Sequence, residues 1–175
     1  MASKVISINR APVLTLWAAA VAQRLGFKEA EALTLGKAVA GLNAQTKGRR
    51  LGIFKPHEEK PSKAREKERG DEFWIEICGR PIRAKNTKDG IRAVKGAQAI
   101  EPDGVRRYLE DRFGDDLCRV RSAMQRLARS YPPKKLAEAG FRLYERFRPK
   151  IPEGVKGWGV QGNLDLGVLE GLAAE

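Results

Sequence analysis

The sequence predicts a mainly α protein: small helical domains with one short β-hairpin. Three observations carry this. Apolar residues repeat with a helical period from Asn9 to Asn43 and again from Glu101 to Phe147. One stretch only, "EFWIEICGRPIRAKNTKDG", is read as alternating with the strand period of two. Between these regions lies a charged segment poor in apolar residues.

The first helix follows from "NRAPVLTLWAAAVAQRLG". Asn9 suits an N-cap, and Pro12 is tolerated in a first turn, where no intrahelical donor is needed. Val13, Trp17, Ala20, Val21 and Leu25 form one stripe with Trp17 as its core anchor, and Gly26 ends it. A second helix is expected over about Lys28 to Asn43, with Ala32, Leu35, Val39 and Leu42 inward. Glu29 and Glu31 favour the positive end of its dipole.

In the hairpin, Phe73, Ile75 and Ile77 alternate with Trp74, Glu76 and Cys78. The return strand carries Ile82 and Ala84, and Pro81 argues that it is short or at an edge. Asp89-Gly90 closes it. Two helices are then expected on either side of Gly114, because an interior glycine costs ~1 kcal/mol relative to Ala. Pro132-Pro133 starts another helix through Phe147, with Leu136, Leu143, Tyr144 and Phe147 inward. A Gly-rich tail ends in the apolar "LDLGVLEGLA".

The division that results is a helical hairpin over 1–56, a charged linker over 57–70, and a β-hairpin with a helical bundle over 71–175. No apolar run approaches the roughly 18 residues of a membrane span, and the first residues do not form a secretory leader. Cys78 and Cys118 read as free thiols buried in apolar surroundings, which fits a reducing cytoplasm. His57 is the sole histidine, and no Cys-x-x-Cys occurs. Metal sites and histidine-based catalysis are therefore not expected, and neither an enzyme nor a cofactor is. "GWGVQG" matches Gly-x-Gly-x-x-Gly, but prolines rather than a strand precede it, so it is not read as a dinucleotide site.

The net charge is +12 among 175 residues, with a pI near 10.0. It is uneven: residues 47–70 carry nine cations against four carboxylates, and 105–150 carry thirteen against six. Such concentrations point to a polyanionic partner. Lys47, Arg49 and Arg50 cluster beside Gly48 and form a candidate phosphate clamp. Arg112, Arg119 and Arg126 recur every seven residues. In an unbroken helix they would fall within about 40° of one line, and a break at Gly114 would remove Arg112 from it. The turn between the first two helices partly fits a helix-turn-helix, with Ala22 four residues before Gly26. Glu29 and Glu31 at the start of the would-be recognition helix favour a plain core hairpin.

The stretches "NRAPVLTLWAAAVAQRLGFKEAEALTLGKAVAGLNAQTKGRRLGIF" and "FRPKIPEGVKGWG" resemble a family of small bacterial proteins of uncharacterised activity. The resemblance spans most of the chain, implies a bacterial, cytoplasmic setting, and brings no site residues. The expected function is a non-enzymatic nucleic-acid-binding or regulatory protein. Its six basic residues would contact the phosphates of nucleic acid, duplex DNA first. The alternative is an interaction module whose basic face meets an acidic protein. A homodimer is left open, and no membrane partner is expected.

Overall fold

Eleven consecutive residues, Pro12 to Ala22, are buried in helix α1 (Arg10–Arg24). A helix apolar on every face has no solvent side and must be wrapped by other elements. That wrapping organises the chain. A computed structural model of the protein describes residues 4–50, 72–95, 98–150 and 161–174. In chain order these form β1 (Val5–Asn9), α1, α2 (Glu29–Arg50), β2 (Glu72–Ile77), β3 (Arg80–Thr87), β4 (Gly90–Lys95) and β5 (Gln98–Ala99). Next come α3 (Pro102–Phe113), a 3-10 turn (Gly114–Asp116), α4 (Leu117–Arg129), α5 (Pro133–Phe147), β6 (Gln161–Asp165) and α6 (Leu166–Ala174).

Helix α1 packs against α2, α4 and α5. Its Trp17 is fully buried, and the indole N–H donates to the Gly140 carbonyl at 2.8 Å. The ring meets Phe147 edge-on, with centroids 5.3 Å apart. This anchor was legible from the stripe; the burial of the opposite face, Leu14, Thr15, Leu16, Ala18 and Ala19, was not.

The expectation of a mainly α chain with one hairpin is corrected. Helix makes up 62% of the described residues, and two antiparallel sheets accompany it, of two and four strands, so the class is mixed α/β. The first sheet pairs β1 with β6, Ile6 opposite Leu164 and Ile8 opposite Gly162. "VISIN" alternates as a half-buried strand should: Ile6 and Ile8 face inward, Val5 and Ser7 outward. Its brevity and its remote partner hid it.

In the second sheet the order is β2-β3-β4-β5. The predicted hairpin is its first half. Cys78 and Gly79 both have positive φ, 52° and 74°. That is a two-residue type I′ turn, which matches the twist of the flanking strands. The chain does not stop at Asp89-Gly90. It turns there and runs back as "GIRAVK", with Ala93 opposite Ala84 and Thr87 opposite Gly90. β3 is therefore long and central rather than short or at an edge. Pro81 is tolerated because it pairs only with Glu76 of β2; the β4 ladder begins at Ala84.

Helix α2 runs to Arg50, beyond the expected end at Asn43. Gly114, with φ 56°, separates α3 from α4 as expected, although neither Asp115 nor Asp116 caps with its side chain. Leu136, Leu143, Tyr144 and Phe147 of α5 are buried as the stripe required. Cys78 is buried, its thiol pushed up to about 12 by desolvation, with Arg80 opposing. Cys118 is exposed, against the expectation, because it lies on the outer side of α4 from Val120, Met124 and Leu127.

A single apolar cluster extends from Ile6 to Leu172 and draws on both sides of the proposed domain division. The linker over 57–70 lies outside the described residues, as does Trp158 of the Gly-rich tail.

Two contacts fix α2 in place. An added Cβ at Gly36 would meet the Thr15 carbonyl oxygen and sit 2.9 Å from the Ala19 nitrogen, both backbone atoms of α1. At the other side, Glu31 and Thr34 serve β4. The Ile91 N–H donates to Glu31 Oε2 at 2.8 Å, and the Ala93 N–H donates to Thr34 Oγ1 at 3.0 Å. Thr34 is fully buried and donates in turn to the Glu31 carbonyl at 2.8 Å.

Gly36→Ala should therefore push the helices apart and cost about 1–3 kcal/mol or more in urea unfolding, since backbone cannot swing aside. A loss below about 0.5 kcal/mol would show that the approach is not a constraint. Glu31 gives a second test. Burial alone would raise its carboxyl, but the N–H groups of Ile91 and Lys28, with the Lys28 and Arg92 charges, outweigh it and hold the pKa below the usual range. A depressed carboxylate pKa gives stability that is present above the unfolded value and lost as pH falls through the folded one. The native protein should lose more stability on acidification than Glu31→Gln does, measured by denaturant titration at neutral and acid pH. Parallel curves would remove the carboxylate's role.

Candidate nucleic-acid interface

Four of the described cations, Arg106, Arg119, Arg83 and Lys4, stand in ion pairs. Arg106 bonds Glu29 at 3.1 Å and Asp103 at 2.5 Å, and Arg119 bonds Glu170 at 2.9 Å. Arg83 lies 3.4 Å from Glu72, and Lys4 pairs with Asp116. Such pairs on or near the surface contribute little stability, but they cancel local field.

A different arrangement occurs where α2, the end of β4 and α3 meet. The Lys37 ammonium of α2 lies over the Tyr108 ring of α3, 3.7 Å from its centroid. Arg112, one helical turn after Tyr108, brings its guanidinium to 5.6 Å from the same centroid. Lys95, at the end of β4, acts on Lys37 from the sheet. Lys37 is half-buried, and its pKa is lowered, first by desolvation and then by the charges of Lys95 and Arg112. Tyr108 is raised by burial, with Arg112 opposing. The charges that bear on Lys37 most are thus positive, and an aromatic face holds two of the cations by cation–π attraction.

The predicted site residues divide. Arg112 belongs to this cluster. Arg119 and Arg126 share α4, beyond the break at Gly114, so the three do not form one line. Arg126 is exposed, and Arg119 is engaged by Glu170. Lys47, Arg49 and Arg50 fall within the last turns of α2, and their side chains lie outside the described residues. Gly48, which they flank, is inside the helix. The first turn of α2, which a recognition helix would offer to a groove, is occupied internally through Glu29 and Glu31.

Sequence reasoning missed Lys37, Lys95 and Tyr108. They come from three elements, and no local spacing links them. The available hint was that Lys37 interrupts the apolar run of α2 between Gly36 and Ala38.

A small cleft of about 130 Å³ lies nearby, with Leu16, Ala19, Leu33 and Leu109 at its floor and Glu29, Arg106, Glu110 and Arg121 around it. Its charges are of both signs, unlike those of the cluster. Among the described residues, no helix is long and apolar enough to cross a membrane.

Comparison with protein-family models, with curated proteins and with solved structures found no match.

The cluster makes one direct prediction. Arg112→Gln removes one of the two charges that depress Lys37, so the Lys37 ammonium should titrate at higher pH. NMR titration of the isotopically methylated lysines reads this, and an unmoved Lys37 signal would remove Arg112 from the causes, leaving burial and Lys95.

Proposed function

We propose that the protein is a non-enzymatic nucleic-acid-binding protein that contacts the phosphate backbone and works in the cytoplasm. The observation that supports it is the placing of the Lys37 ammonium and the Arg112 guanidinium on the Tyr108 ring, with the Lys95 charge also acting on Lys37. Like charges held together repel, and they relax when an anion enters. Phosphate is the anion that nucleic acid presents at every residue, and Lys and Arg are its usual protein contacts. The net charge of +12 adds a long-range attraction that would speed encounter.

Lys47, Arg49 and Arg50 extend the reading along α2. They lie ten to thirteen residues after Lys37, about 15–20 Å along a helix that rises about 1.5 Å per residue. Arg126 offers a further exposed cation on α4. An acidic protein partner is the alternative, and duplex DNA of random sequence separates the two.

Binding to such duplex should weaken steeply with salt. Each phosphate contact releases about 0.9 counterions, so Lys37, Lys95 and Arg112 changed together to Gln should flatten the plot of log affinity against log salt by roughly two to three units. Lys47, Arg49 and Arg50 changed together should flatten it by a similar amount. If neither triple variant alters the slope, the phosphate reading fails for these residues. If random duplex does not bind at low salt, the acidic-protein reading replaces it.

A further inference from the structure

We infer that the turn joining α4 to α5 is a further phosphate-contacting face, made by Arg24, Arg126, Arg129, Lys134 and Lys135 and fitted to the backbone of nucleic acid. This rests on the nucleic-acid reading and adds to it a surface formed by other residues. Arg126 and Arg129 lie in the last turn of α4, and Lys134 and Lys135 in the first turn of α5. Arg24, in the last turn of α1, reaches the same place: its Nε donates to the Tyr131 carbonyl at 3.2 Å. Residues three apart on a helix are neighbours, and the five residues of chain from Arg129 to Lys134 span at most about 18 Å. The phosphates of one strand follow every ~3.4 Å of helix axis, so a face of this extent meets several of them.

The charge on this face is uncompensated. Arg126, Arg129, Lys134 and Lys135 are exposed, and Arg24 is half-buried. Among the described residues none of them stands in an ion pair, in contrast to Arg106 and Arg119. Glu138, one turn beyond the two lysines, pairs with neither. The dipole of α4 accounts for its two arginines, which lie at the negative end. It does not account for the lysines, which lie at the positive end of α5, where the first turn holds no acidic residue and Pro132 supplies no side-chain cap. Stability alone favours carboxylates in that turn. A negatively charged partner reverses the preference. Two of the arginines are also held ready. The Nε of Arg24 is fixed on the Tyr131 carbonyl and that of Arg129 on the Gln125 carbonyl, at 3.3 Å. These bonds anchor the stems and leave the terminal nitrogens, the pair that grips a phosphate, for a ligand. Fewer rotamers are then lost on binding.

The make-up of the face favours nucleic acid over an acidic protein. Protein interfaces are depleted in lysine and bury aromatic or aliphatic anchors at their centre. Among the described residues the exposed large hydrophobics are Val5 and Val168, in β1 and α6, and neither belongs to this face. Contact with a phosphate backbone needs cations and no such anchor.

The experiment measures the binding of random duplex DNA to the full chain by fluorescence anisotropy over a range of salt. Two double variants with equal loss of charge are compared. One is Lys134→Gln with Lys135→Gln; the other is Lys88→Gln with Arg107→Gln, exposed cations of the β3–β4 turn and of α3. The first should flatten the plot of log affinity against log salt by roughly two units, and the second by less than about half a unit. The first should also unfold at the same urea concentration as the native chain or a higher one, because it relieves the conflict with the helix dipole. Arg126→Gln with Arg129→Gln is an independent pair from the other helix and should flatten the plot by a similar amount. An unchanged slope in both pairs from the turn overturns the inference and leaves the backbone reading of Lys37 standing. Equal flattening by the Lys88 and Arg107 pair shows that total charge alone acts, and overturns it too. Polyglutamate or phosphatidylserine vesicles that bind more tightly than the duplex at equal salt, and release the same variants, overturn nucleic acid as the occupant. Failure of the duplex to bind at low salt overturns the nucleic-acid reading and this inference with it.

Discussion

The approach of α2 to α1 at Gly36 is the constraint on which the rest depends. Helix α1 is buried on every side, so its neighbours must come close without voids. Alanines at 18, 19, 20 and 22 make that possible from one side, and the absent side chain at 36 makes it possible from the other. With α2 held at this distance, residues on either side of Gly36 acquire their positions. Thr34 and Glu31 reach β4, and Lys37 reaches Tyr108. Seven residues of one helix thus join the core, the sheet and the cationic cluster. A displacement of α2 relative to α1 would disturb all three.

The sheet's attachment shows how side chains can stand in for a missing strand. β4 pairs with β3 along one side, but β5 covers only its last residues, Val94 and Lys95. The N–H groups of Ile91 and Ala93 would be left without strand partners, and a buried donor without an acceptor costs about 1–3 kcal/mol. Glu31 and Thr34 accept those bonds. The helix closes part of the sheet edge, and the same contacts fix how α2 lies across the sheet. Close packing supports this at the opposite end. A Cβ at Gly140 of α5 would lie 3.1 Å from the Cys78 sulfur, so the tight turn between β2 and β3 rests directly on α5.

What could be read from the chain was what short-range pattern encodes. The helices from Arg10, Pro102, Leu117 and Pro133 follow from apolar stripes and from Gly and Pro punctuation, and Trp17 was recognisable as an anchor. β1 and β6 were not, because each is five residues long and each obtains its ladder from the far end of the chain. β4 was missed for another reason: after Asp89-Gly90 the residues "IRAVK" put Arg92 between apolar neighbours, and Arg92 is in fact buried there, with its guanidinium donating to the Ile91 and Asp89 carbonyls. A charge in a strand that satisfies itself on local backbone defeats a pattern based on polarity. Of the site, Arg112 was legible as one of a basic series. Its partners were not, since Lys37 and Lys95 are respectively 75 and 17 residues away in the sequence.

The location of the excess charge bears on this beyond its total. Arg106, Arg119, Arg83 and Lys4 each stand beside a carboxylate, so a field averaged over those surfaces is weak. At Lys37 burial disfavours the charged form first, and the charges that act on it have the same sign as its own. A fold that only needed a polar residue at the margin of α2 could meet that need with a neutral side chain at lower electrostatic cost. The ring of Tyr108 offsets part of the repulsion, as cation–π contacts do by about 0.5–1 kcal/mol at exposed sites. It does so without neutralising the cations, as a carboxylate would. An aromatic platform in that position keeps the positive potential available to a ligand, and an ion pair there would consume it. The use of an aromatic ring at this junction, where ion pairs serve elsewhere on the same molecule, is what supports the proposal of an anion there.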